Sequence, residues 1–140
     1  MAGLHHFEKN VRSKNKILAV TIDHAEKVLE AYPLNAKALA LLAGSQLNLG
    51  RNDEAIEKIQ ELLQIPGIGT QEYTESGEMY AQVPDFATSK MCHSKALFLD
   101  PQHTDARCGL AIMLSNLNGL ELAKEHTKEV LNQDSQNLGG

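Results

Sequence analysis

The residues with the most chemistry to offer are six histidines and two cysteines. A zinc or iron centre needs nitrogen and sulfur ligands at spacings that one turn or one helix face can bring together. No CxxC, HxxxH or HExxH spacing occurs in the chain. His5 and His6 are adjacent, so on a helix they point different ways and read as a terminal pair rather than a ligand set. His93 and His103 flank a helix end in the region of Cys92 and Cys108, and His93 is expected to pack between helices. Two cysteines make no disulfide framework; both thiols are expected as small core or groove residues in a reducing setting. There is no Gly-x-Ser-x-Gly elbow. The pair Gly67 and Gly69 lacks a preceding strand and a third glycine, so it is not a phosphate loop. The carboxylates fall on solvated helix faces rather than in catalytic pairs. No enzymatic activity, metal or cofactor is expected.

With catalysis lacking residues, the elements themselves become informative. The stretch from Asn35 to Pro66 reads as two amphipathic helices joined by a tight turn. Asn35 is suited to cap the first, since its short polar side chain can accept an orphan backbone N–H. Leu39, Leu42, Ala43 and Gln46 then share one face. Gly50 ends that helix through the left-handed conformation glycine tolerates. Asn52 and Asp53 start the second helix, Ala55, Ile59, Leu62 and Leu63 give it an apolar face, and Pro66 stops it.

Such a hairpin cannot bury its own apolar face, and its pattern recurs with a period of 34 residues. Ala55 maps onto Ser89, Ala123 and Thr21, all small; Ile59 maps onto His93, Thr127 and Ala25; Leu62 maps onto Ala96, Val130 and Val28. In the first-helix register, Leu39 maps onto Tyr73 and Arg107, Leu42 onto Ser76 and Leu110, and Ala43 onto Gly77 and Ala111. Gln46 maps onto Tyr80 and Leu114, and Gly50 onto Pro84 and Asn118. Further helices are expected from about Thr70 to Gln82, from an Asp85 cap to about Leu99, from a Thr104 cap to about Leu117, and from Leu120 to about Asn132. Asn118-Gly119 is the expected last turn. Before Asn35, a helix from Lys16 to Ala31 carries the stripe Leu18, Ile22, Ala25, Leu29 and Tyr32 and ends at Pro33. Residues Met1–Asn15 are polar where they should be apolar and are expected as a partly frayed helix or arm. The tail DSQNLGG is polar and expected to be disordered.

A 34-residue helix–turn–helix unit with small residues at these offsets resembles the tetratricopeptide repeat. The middle unit matches through Tyr73, Gly77, Tyr80, Phe86, Ala96 and the run KALFLDP. Arg107 and Ser76 depart from the pattern, as does His93, which stands where an aromatic is usual. The resemblance implies an all-α, right-handed solenoid of antiparallel helix pairs forming one domain over residues 1–135. Within it, 1–35 is a degenerate leading unit and 36–69, 70–103 and 104–135 are full units; 136–140 is the tail.

The resemblance also implies a function. The first helix of each unit should line a concave groove that binds an extended or helical peptide of a partner protein. Carried over residue by residue, the groove positions are Lys37, Ala40, Gly44 and Asn48 in the first full unit. The second gives Gln71, Thr74, Glu78 and Gln82, and the third Asp105, Cys108, Ile112 and Asn116. Amides there can bond a peptide backbone whatever its sequence, while Glu78 and Asp105 favour a basic ligand residue. Family members that dock the acidic tails of heat-shock chaperones use Lys, Asn and Arg at offsets where this chain has Ala40, Gly44, Glu75, Asp105 and Cys108. A chaperone-tail receptor is therefore not expected.

The balance of 13 basic against 18 acidic residues, with no basic block, argues against nucleic acid or an anionic membrane as the main partner. The apolar runs are too short to span a bilayer, and the N-terminus has no signal-length apolar stretch. A cytoplasmic or nuclear interaction module, scaffold or adaptor is the expectation. The last hairpin lacks the polar capping helix that solenoid ends usually carry. That suggests a longer parent protein or, as the alternative function, self-association within a larger assembly.

Overall fold

In the computed structural model, the backbone is described for residues 2–138 and the side chains for residues 8–121 and 123–132. Over these residues the chain is all-α: α1 (Ala2–Ala31), α2 (Ala36–Asn48), α3 (Asn52–Leu63), α4 (Thr70–Gln82), α5 (Phe86–Leu99) and α6 (Thr104–Leu138). Each helix packs against the next, and α2, α4 and α6 also pack side by side into one wall. Through the described residues, α1, α3 and α5 do not touch one another and form the opposite layer. This is the two-layer stacking of a helical solenoid.

The local signals around α2–α5 are obeyed. The Asn35 side chain accepts the Ala38 N–H at 2.9 Å, and Gly50 closes α2 with φ of 77°. Asp85 caps α5, accepting the Thr88 N–H at 3.1 Å and the Thr88 hydroxyl at 2.7 Å. At α4 the Glu72 carboxylate reaches back to accept the Gly69 N–H at 3.0 Å, satisfying one of the donors that a helix start leaves orphaned. α3 stops at Leu63, before Pro66, and Gly67 takes up a positive φ of 78° in the connection. α6 begins differently from expectation. Thr104 is its first residue, and the His103 ring accepts the Ala106 N–H through Nδ1 at 3.2 Å.

The repeat register predicts the core. Ala55, Ile59 and Leu62 are fully buried, as are Ser89, His93 and Ala96 one period later. Leu39, Leu42 and Ala43 are buried on α2. Ile59 and Ala43 join Met79, Tyr80 and Cys92 in one cluster, while Ile22, Ala25 and Leu42 form another at the α1 end. Fully burying one such leucine or isoleucine contributes roughly 1.5–3 kcal/mol. Gly77 lets side chains of α5 lie directly against the α4 backbone: the His93 ring fills the space a Cβ would take, and the Ser89 hydroxyl donates to the Gly77 carbonyl at 2.6 Å.

The ends depart from the expected pattern. α1 runs 30 residues without a break, so residues up to 15 continue the helix rather than forming a separate element. α6 runs 35 residues, and no turn occurs at Asn118-Gly119. The physical reason is the same at both ends. Gly50 and Pro84 break the middle units, but the register places Lys16 and Asn118 at the matching positions. Neither residue forces a helix to end, and Gly119 alone costs a helix only about 1 kcal/mol. Ala123, Thr127 and Val130 are consequently exposed instead of buried, as is Tyr32 beyond the end of α1. Residues 136–138 belong to α6 rather than to a disordered tail, and residues 139–140 lie outside the described ones.

Candidate peptide-binding groove

α2 and α4 lie side by side, and a depression opens between the start of α2 and the later turns of α4. A cavity of about 330 Å³ is lined by Lys37, Ala40, Leu41, Glu75, Glu78, Met79 and Gln82. A second, of about 230 Å³, lies toward α1 and is lined by His24, Ala25, Val28, Asn35, Lys37, Ala38 and Leu41. The two share Lys37 and Leu41. The α1 end is walled by small and branched apolar side chains, and the α4 end carries Glu75 and Glu78 over Met79.

Electrostatics single out the α4 end. Burial first, then the negative charges of Asp105 and Glu75, push the Glu78 carboxyl above the usual range, and His103 opposes this. Asp105 of α6 therefore adds to one acidic edge with Glu75 and Glu78. Charges so placed repel one another and are eased by a cation.

Of the residues expected in a groove, Lys37, Ala40, Glu78 and Gln82 meet in the larger cavity. Gly44 continues along α2, with nothing within 4 Å of where a Cβ would stand. Asn48 donates its side-chain amide to the Gly44 carbonyl at 3.0 Å, and Gln71 donates to Glu75 Oε1 at 3.0 Å. Thr74 is a correction. It is 2% exposed, and its hydroxyl donates to the Thr70 carbonyl at 2.8 Å, so it belongs to the helix packing. Asp105, Cys108, Ile112 and Asn116 are exposed along α6 and do not line either cavity.

Sequence reasoning passed over Leu41, Met79, His24 and Val28 as groove residues. Leu41 carried a readable signal: it lies between Leu39 and Leu42 yet off their buried face, and 47% of its surface stays exposed. His24 and Val28 come to the groove only because α1 packs across α2.

Cys92 and His93 belong to the core. Cys92 is buried, which pushes its thiol up to about 11, and Cys108 is exposed. His93 is 1% exposed; its ring lies against Gly77 of α4 and Gly109 of α6, and burial lowers its pKa. Among the described residues no group of three or more His, Cys, Asp or Glu could hold a metal ion. The His5 and His6 side chains lie outside the described residues. No described helix is long and apolar enough to cross a membrane.

No family model matches the chain, and no curated protein sequence matches it. Solved structures do. The first tetratricopeptide domain of human RPAP3 superposes with a TM-score of 0.68 at 20% identity, over 86% of this chain and 95% of that one. The first such domain of Spaghetti (RPAP3), bound to the HSP90 peptide SRMEEVD, gives 0.65 at 19% identity, over 79% and 88%. MamA gives 0.60 at 21% identity over 69% of this chain, which spans 57% of the MamA chain. With residues matching the repeat in register and helices stacking as these structures do, the chain has the tetratricopeptide-repeat fold.

Proposed function

We propose that the chain is a protein-interaction module that holds a partner peptide across α1, α2 and α4, with a basic side chain against Glu75, Glu78 and Asp105. The observation that carries this reading is the pair of adjoining cavities, apolar toward α1 and acidic toward α4. An apolar ligand side chain would rest on Val28 and Leu41, and a Lys or Arg nearby would relieve the crowded carboxylates. The structural relative Spaghetti is bound to a peptide ending in acidic residues. Here Glu75 and Asp105 occupy positions where such a ligand needs cations, so the preference should be reversed.

Fluorescence anisotropy with labelled SRMEEVD, and with the same peptide carrying Lys in place of both Glu and the Asp, tests this directly. The basic peptide should bind and SRMEEVD should not. Glu78→Lys should weaken the basic peptide roughly tenfold without lowering the melting temperature. Equal binding of both peptides, or of neither, overturns the reading, and an unchanged affinity removes Glu78 from the site.

A further inference from the structure

The second half of α6 carries the pattern of a packed helix, but among the described residues it is exposed along its length. Ala123, Thr127 and Val130 stand 34 residues after Ser89, His93 and Ala96. Those three residues, and Ala55, Ile59 and Leu62 a period earlier, are all fully buried. In α6 the corresponding three are exposed, and Leu120 and Leu131 beside them are 51% and 63% exposed. The receiving face is open as well. On α2 and α4 it is Ala43 with Gln46, and Gly77 with Tyr80, all buried; on α6 it is Ala111 and Leu114, both exposed.

Donor and acceptor faces thus exist on one chain but cannot meet. In the α4–α5 hairpin the equivalent residues touch, through Ser89 and Gly77 at 2.6 Å. In α6, Ala111 and Ala123 are twelve residues apart on one helix, roughly 18 Å along its axis. A second copy laid antiparallel brings each donor face to the other's acceptor face by a two-fold axis near Leu117. Such an exchange satisfies both faces at once. Charge does not oppose it, because Glu121, Lys124, Glu125, Lys128 and Glu129 mix both signs along the donor segment.

We propose that two copies of this chain exchange the second halves of α6, so that residues 120–132 of each complete the third repeat of the other. The pairing face is distinct from the two cavities, and the proposal does not depend on the groove reading.

The test uses the full chain with Cys108→Ser, Ala111→Cys and Ala123→Cys, oxidised with diamide and weighed without reductant. Exchange places Ala123 against the partner's Ala111, so a covalent species of twice 15.3 kDa is expected. Chains with only one introduced cysteine should give little of it. A disulfide closed within a single chain would mean that α6 folds back on itself and would overturn the exchange. Free thiols throughout, or equal dimer from the single-cysteine chains, would do the same. Sedimentation equilibrium gives a second reading on the unmodified chain. Its mass should approach the doubled value as concentration rises, and Val130→Glu with Leu131→Glu should return it to the single-chain value. Both substituted side chains are exposed, so the folded monomer should survive them. A monomer at every concentration, or a dimer indifferent to the double substitution, refutes the proposal.

Discussion

At the scale of single residues, His93 is the position where this chain's own chemistry shows most plainly. It occupies the site that Ile59 fills one unit earlier, so an imidazole sits where the register otherwise buries an alkyl group. Burial holds its pKa below the ordinary 6.5. The unfolded chain therefore takes up this proton before the folded one does. Stability should be full above pH 6.5 and fall as the pH drops from there toward the lowered folded value. Urea titrations between neutral and mildly acid pH should show that slope in the native sequence and a shallower one in His93→Phe, whatever the variant's absolute stability. The ring also explains two glycines. A Cβ on Gly77 would lie 2.8 Å from His93 Nε2, and one on Gly109 would press on the same ring from α6. Gly109→Ala should therefore cost about 1–3 kcal/mol through overpacking. An unchanged urea midpoint would mean that the α5–α6 contact is looser than the ring's position implies.

At the scale of elements, two glycines with similar sequence surroundings behave in opposite ways. Gly50 has φ of 77° and ends α2, whereas Gly119 lies inside α6 with open space around it. Alanine at position 50 should lower stability by about 1 kcal/mol or more, because an L side chain is strained at that backbone angle. Alanine at position 119 should do the reverse, lengthening the α6 helix lifetime and adding up to about 1 kcal/mol. Circular dichroism melts of the two variants decide it. If Gly119→Ala were instead destabilising, residues 118–119 would be a turn. Where the register position holds Gly50 or Pro84 a hairpin closes; where it holds Lys16 or Asn118 the helix runs on.

At the scale of the whole molecule, the stack has a well-buried centre and open ends. Both core clusters lie in α1–α5, while the described side chains in the far half of α6 are exposed. In a solenoid each unit is held by its neighbours, so opening should begin at the ends. Amide hydrogen exchange at low micromolar concentration should be slowest in α2–α5 and fastest in the first half of α1 and in α6 beyond Gly119. Uniform protection along the chain would show that the stack opens as a single unit.

The period, the helices from Asn35 to Leu99, their caps at Asn35 and Asp85, and the burial of Ala55, Ile59 and Leu62 were all legible in the sequence. They follow from local rules: a cap, a breaker and an apolar face are properties of neighbouring residues. That Lys37 and Glu78 fall on one cavity wall follows from the same kind of rule, since periodicity determines which face of a helix a residue occupies. The rest was decided between elements. The smaller cavity gains His24 and Val28 because α1 packs across α2, and Thr74 is left out because its hydroxyl turns back to its own helix. The continuity of α6 also lies beyond local pattern. Asn118-Gly119 suits a turn as well as a weak point in a helix. The choice rests on whether a packed surface makes up for the entropy of folding back, which is a property of the tertiary structure and its partners.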